Sequence, residues 1–123
     1  MTDIENRSEI LFLYDIQNAN PNGDPNDENK PRIDEETGKN LVTDVRLKRT
    51  IRDYVRDYSK KKLFVEEIVL EDGTIQDGKT RAKDFGTNKE EITKNVLQEC
   101  IDVRLFGATI PLEKDSVTFT GPV

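Results

Sequence analysis

Apolar and polar positions alternate in several distinct rhythms along the chain. Residues 9–16, EILFLYDI, form a continuous apolar run that includes Phe12 and Tyr14. The run is too short for a free-standing helix and predicts a central strand covered on both faces. Residues 17–40 then lose all apolar periodicity and hold three of the five prolines, which predicts a long loop. Loops of that length inside a compact domain are usually functional or disordered. Over 43–60 the rhythm changes again. With about 100° per residue, Leu47, Ile51, Tyr54, Val55 and Tyr58 fall on one stripe and Lys48, Arg49, Arg52 and Arg56 on the opposite side, the pattern of a helix docked on a core. Thr43 suits an N-cap, Asp44 complements the helix dipole, Val42 is placed to staple against Leu47, and Lys60, Lys61 and Lys62 suit the far end.

Residues 63–70 alternate well enough for a strand, and Asp72-Gly73 predicts the turn of a hairpin spanning about 63–77. The polar stretch KTRAKDFGTN reads as a connection. A second helix follows over about 88–101, capped by Thr87 or Asn88, with Ile92, Val96, Leu97, Cys100 and Ile101 at helical spacing. SVTFT near the end resumes a strand pattern. This order predicts an α+β fold, a split βαβ arrangement of the ferredoxin-like or RNA-recognition-motif type with a long loop inserted after its first strand. Because the chain stops at Gly121-Pro122-Val123 directly after a strand pattern, residues 1–123 read as the N-terminal part of one palm-like domain whose sheet is incomplete.

Composition narrows the chemistry. The chain has 123 residues, 33% of them hydrophobic and 36% charged, so its core is modest. No apolar run of about 18 residues appears and the N-terminus is acidic, which predicts a soluble cytoplasmic protein without a membrane partner. There is no histidine and a single cysteine, Cys100, so a Ser-His-Asp triad, a Cys-His pair, a His-ligated zinc site and an internal disulfide are excluded. Cys100 reads as a helix residue on a packed face. The net charge of −6 is unevenly distributed: residues 40–62 carry eight basic and three acidic side chains, a net +5, and leave −11 for the rest. A basic helix on an acidic body is compatible with a local polyanion site and equally with a solvated basic face.

Two loop patterns imitate metal sites. Asn18-x-Asn20-x-Asn22-Gly23 has the spacing of the first half of an EF-hand loop, but the oxygens are neutral amides and the twelfth position is Asn29 rather than Glu. Turn-forming residues account for it better. Asp24, Asp27, Glu28, Asp34, Glu35 and Glu36 in the same loop make a magnesium-dependent nuclease formally conceivable, yet no second acidic cluster supports it. No metal ligand and no cofactor is assigned. RLFGATI lacks the alternate aromatics that stack bases in RNA-recognition motifs, so RNA binding here would rest on phosphate contacts and weaken with salt.

The joint occurrence of NPNGDP (20–25), PRIDEETG (31–38) and TDVRLKRTIR (43–52), followed by EDGTIQDGKTRAKDF, DVRLFGATI and TFTGPV, closely resembles the repeating backbone subunit of type I CRISPR Cascade complexes, most like subtype I-B and related to I-C. The resemblance covers essentially the whole chain. It implies a non-catalytic protein with an RNA-recognition-motif-like palm, several copies of which line one CRISPR RNA and display it for pairing with target DNA beside other Cascade subunits. Carried over by position, it implies phosphate contacts from Arg46, Lys48, Arg49 and Arg52 and loop contacts from Asn18, Asn20 and Asn22. Members of that family run to about twice this length or more. The thumb-like hairpin and later strands would then lie beyond this sequence. Related type III backbone subunits cut target RNA through an aspartate in the loop after the first strand, so a metal-dependent ribonuclease using Asp24 is the alternative.

Overall fold

A computed structural model describes residues 5–122. It is a mixed α+β structure that divides into two compact units, Met1–Thr50 and Ile51–Val123.

In the first unit the proline-rich loop is ordered by nested turns. Strand β1 (Gly23–Asp24) pairs antiparallel with β2 (Lys30–Pro31), with Gly23 opposite Pro31 and Asp24 opposite Lys30. The intervening turn places Glu28 and Asn29 at positive φ, a conformation asparagine tolerates better than most residues. Pro31 is admissible because a two-stranded ladder is all edge. A second turn brings Ile33 opposite Asn40. Asp34 builds it by accepting from the Glu36 amide at 3.0 Å and the Thr37 hydroxyl at 2.8 Å, and Gly38 supplies the left-handed residue at φ 66°.

Residues 9–16 do not form the expected strand. They lie outside every ladder, and Ile10, Leu11 and Leu13 are at least 80% exposed. A strand is defined by its partner, and the described residues offer this run none.

Helix α1 (Asp44–Tyr54) begins where the capping pattern indicates. The Thr43 hydroxyl accepts from the Arg46 amide at 3.2 Å, and the Thr43 carbonyl accepts from the Leu47 amide. The helix is shorter than the 43–60 pattern, continuing as a π-helical turn over Val55–Ser59 that ends at Lys60 in the left-handed region. Its apolar stripe is mostly exposed: Val55 is half-buried, but Leu47, Ile51, Tyr54 and Tyr58 are exposed, and Tyr54 stacks on Tyr58 at 4.9 Å.

The second unit holds the core. Phe64, Ala82, Phe85, Ile92, Val96, Cys100, Val103 and Ile110 form one buried cluster, with Ala108, Leu112 and Phe119 packed against it. Three expectations are corrected here. The predicted strand at 63–70 is irregular. Its far end does pair across the Asp72-Gly73 turn, where Val69 bridges Ile75 and the amides of Leu70 and Gln76 donate to the Thr74 and Ile68 carbonyls, but the start of the segment is pinned by side chains. The buried Asp102 carboxylate accepts from the amides of Phe64 at 2.8 Å and Val65 at 3.0 Å, while the Arg81 guanidinium donates to the Leu63 carbonyl at 2.8 Å. Backbone groups that would enter a ladder are thereby satisfied by charged side chains.

The polar stretch read as a connection contains helix α2 (Gly78–Lys83). Asp77 caps it by accepting from the Thr80 amide at 2.7 Å, so a helix opens directly where the predicted 63–77 hairpin ends. Helix α3 (Lys89–Glu99) is capped by Asn88, whose side chain accepts from the Glu91 amide. It stops at Cys100, which is extended and fully buried, and the chain restarts as α4 (Ile101–Phe106). Cys100 is therefore a link between helices and not a residue within one.

Gly107 at φ 69° makes the turn out of α4, and a Cβ there would run into the Phe119 carbonyl. Strands β3 (Ala108–Pro111) and β4 (Ser116–Phe119) then pair antiparallel with Ile110 opposite Val117, both buried. Among the described residues the strands make two separate two-stranded sheets rather than one continuous sheet.

Candidate functional site

The sequence places its candidate contacts on the Asn-Pro-Gly loop and on α1, and within the first unit the two are joined by one side chain. The Asn22 amide oxygen accepts from both the backbone amide of Thr43 at 2.9 Å and the Thr43 hydroxyl at 3.0 Å. That hydroxyl in turn caps α1. Asn22 thus ties the loop to the helix N-terminus, where unpaired amides and the helix dipole favour negative charge. Beside this junction lies an open recess of about 550 Å³ lined by Asn22, Arg32, Thr43, Val45, Arg46 and Arg49. Three guanidinium groups therefore border one concavity. The acid that also reaches it, Asp44, is paired with Lys48 at 3.3 Å in an i,i+4 arrangement.

Not every predicted residue enters this recess. Asn18 is exposed and sits at φ 54°, a turn former outside the lining. The Asn20 side chain is directed inward to the loop: its nitrogen donates to the Asn29 carbonyl at 2.6 Å and its oxygen accepts from the Asn22 amide at 3.1 Å. Asn20 therefore shapes the loop that presents Asn22. Lys48 lies beside Asp44 rather than in the recess. Arg52 belongs to the second unit, where its Nε donates to Asp102 at 3.0 Å and its guanidinium stacks over Phe106 at 5.0 Å.

Arg32 was missed by the sequence reading. It lies outside the amphipathic helix, and nothing in PRIDEETG marks one basic residue among acids as facing another element. The register of β1 and β2 puts it there: its amide donates to the Asn22 carbonyl at 3.0 Å and its carbonyl accepts from Leu41 at 2.8 Å, so its backbone runs alongside Asn22.

The acidic loop residues do not converge on a cation. Asp24 accepts from the Asn26 amide at 3.0 Å and faces Arg32 at 3.7 Å, and Asp27 pairs with Lys30 at 3.0 Å. Asp34 is held below the usual carboxylate range by the Thr37 hydroxyl and then by the Glu36 amide. No three His, Cys, Asp or Glu side chains are grouped to hold a metal among the described residues. Burial, reinforced by the neighbouring Asp102 carboxylate, pushes the Cys100 thiol up to about 12, which makes it a poor nucleophile. Among the described residues no helix is long and apolar enough to cross a membrane.

An arginine-bordered recess at a helix N-terminus gathers positive charge and hydrogen-bond donors, and comparison with known proteins gives the chain a context. Residues 6–123 match the family model described as CRISPR-associated protein Cas7. A protein of that same description from Haloferax volcanii is 39% identical over 118 residues, covering 88% of this chain and 33% of the relative. The chain thus spans about a third of the length of the curated relative it matches. With the family model matched from residue 6 onward, the chain belongs to the Cas7 family of CRISPR-associated proteins.

Proposed function

We propose that this chain is the N-terminal portion of a non-catalytic, cytoplasmic RNA-binding subunit. It holds the backbone of a CRISPR RNA in a type I Cascade complex, closest to subtype I-B, alongside further copies of itself and other Cascade subunits, so that the guide can pair with target DNA. The observation that carries this reading is the recess in which Asn22 and three arginines border one concavity. Guanidinium groups match phosphate oxygens bidentately and retain their charge at all relevant pH values. The recess offers no aromatic platform, so it suits sugar-phosphate backbone rather than bases.

In this reading Arg46 and Arg49 are direct phosphate contacts, Asn22 and the α1 N-terminus contribute neutral donors, and Lys48 adds charge at the rim. Asn18 and Asn20 set the loop's path. Arg52, held by Asp102, fixes the far end of α1. The chain's one-third share of the relative's length leaves room for a palm of RNA-recognition-motif type in the whole subunit, against which the apolar run at 9–16, exposed here, would be buried.

A fluorescence-anisotropy titration of the chain with a labelled CRISPR RNA at several salt concentrations tests the proposal. The log of the binding constant should fall with log salt by about 0.7 for each phosphate neutralised. Arg46→Glu with Arg49→Glu should remove most of the affinity, and unchanged binding by that double variant would refute the site. Arg52 is left intact because its contact with Asp102 means that its loss would lower stability rather than report on binding. Magnesium-dependent cleavage of guide-complementary RNA would overturn the non-catalytic assignment.

A further inference from the structure

Arg32 is the guanidinium in the recess that no reading of the basic helix accounts for, and its surroundings are unusual. Its Nε is buried without a hydrogen-bond partner. Its nearest acid, Asp24, stands 3.7 Å from a terminal nitrogen, beyond the 2.7–3.2 Å of a hydrogen bond. The two side chains are 35% and 30% exposed, so the pair is loose and partly solvated. Asp24 is meanwhile held in place by the Asn26 amide. A guanidinium has five N–H donors, and here the buried Nε donor is unmatched while the group borders a concavity shared with Arg46 and Arg49.

We propose that Arg32 is a third phosphate ligand of this recess and that Asp24 is its internal competitor, an acid that occupies the guanidinium weakly until an RNA phosphate displaces it. The proposal rests on the recess being an RNA-backbone site. A phosphate presents two oxygens at hydrogen-bond distance to one guanidinium, which the loose Asp24 contact does not. Exchange of Asp24 for phosphate would leave Asp24 near an anion, a repulsive term that lowers the affinity of the intact protein. Asp24 thereby tunes release as well as occupancy, which suits a subunit that must hold RNA without base contacts.

The experiment uses the full-length protein to which this chain belongs and a fluorescein-labelled oligouridylate, which removes sequence-specific effects. Arg32→Gln should reduce the salt slope by about 0.7, the loss of one phosphate contact, and leave the fold intact because the backbone bonds of Arg32 do not use its side chain. Asp24→Asn should tighten binding. Asp27→Asn removes the same charge from the same turn, but from an acid paired with Lys30, and should tighten binding less. In an Arg32→Gln background the Asp24→Asn effect should fall to that of Asp27→Asn. Equal effects of the two aspartate substitutions, or an Asp24→Asn effect that persists without Arg32, would overturn the proposal even if Arg32→Gln proves unstable. Normal weakening by Arg46→Glu with Arg49→Glu alongside an unchanged slope for Arg32→Gln refutes Arg32 alone. Unchanged binding in the Arg46 and Arg49 variant refutes the underlying site instead.

Discussion

Asp102→Ala tests the account of the second unit most sharply. The Asp102 side chain is 1% exposed, a position in which a carboxylate without partners is strongly disfavoured. It is stabilised by three donors: the Phe64 amide at 2.8 Å, the Val65 amide at 3.0 Å and the Arg52 Nε at 3.0 Å. Alanine deletes the acceptor and leaves all three donors behind. The Arg52 side chain is 12% exposed, so its charge is not readily returned to water. Removing one partner of a buried ion pair costs about 3–5 kcal/mol, and a stranded buried donor costs about 1–3 kcal/mol. These figures overlap, because all describe the same missing carboxylate. The expected loss is about 3–5 kcal/mol, a large share of the roughly 5–15 kcal/mol by which ordinary domains are stable.

Urea unfolding followed by far-UV circular dichroism measures that loss. Asp102→Asn keeps one oxygen for an amide but presents a donor to the remaining donors, and should fall between parent and alanine. Arg52→Met by itself leaves Asp102 with two amide donors and a lost cation, and its combination with Asp102→Ala should cost less than the two losses added. A loss under about 0.5 kcal/mol for Asp102→Ala, the range of uninvolved surface changes, would refute the claim that this carboxylate pins Phe64 and Val65.

Three further outcomes follow from the same contacts. Asn88→Ala should lower stability by about 1 kcal/mol, seen as a lower thermal midpoint, because the cap at the Glu91 amide is lost. Asp77, Asp72 and Glu91 are all held below their ordinary values, by the Thr80 amide, the Thr74 hydroxyl and the Thr87 amide respectively. Their contribution is complete above the unfolded carboxylate range of about 4 and is lost as pH falls through the lowered folded values. A thermal midpoint that instead rises as pH is lowered from about 4 toward about 2 would contradict this sign. Cys100, with its thiol pushed up to about 12, should resist iodoacetamide in the native state at mildly alkaline pH and react only after denaturation. Rapid native alkylation would show the link between α3 and α4 to be open.

The elements legible in the sequence are those whose signal is local. The start of α1 follows from Thr43 and Asp44, and α3 follows from Asn88 and the spacing of Ile92 and Val96, because a cap and an amphipathic period lie within a few residues of each other. Helix α2 escaped notice because its six residues span too few turns for a period, and its cap, Asp77, also fits a turn. The strands at 9–16 and 63–70 were misread for the opposite reason: apolar runs show what a segment can bury, not what it pairs with. At 63–66 the winning partners were the distant Asp102 and Arg81 side chains.

The site divides in the same way. By itself the sequence determined that the positive charge gathers on one helix, that histidine and metal-cysteine chemistry are excluded, and that an asparagine-rich loop precedes that helix. Only the tertiary structure decided which of these residues meet. It selected Asn22 as the tie to Thr43, committed Arg52 to Asp102 and brought Arg32 beside Arg46 and Arg49. The physical reason is that charge and period are properties of neighbours along the chain. The arginine-bordered recess is built instead from side chains brought together by backbone pairing across the β1–β2 turn.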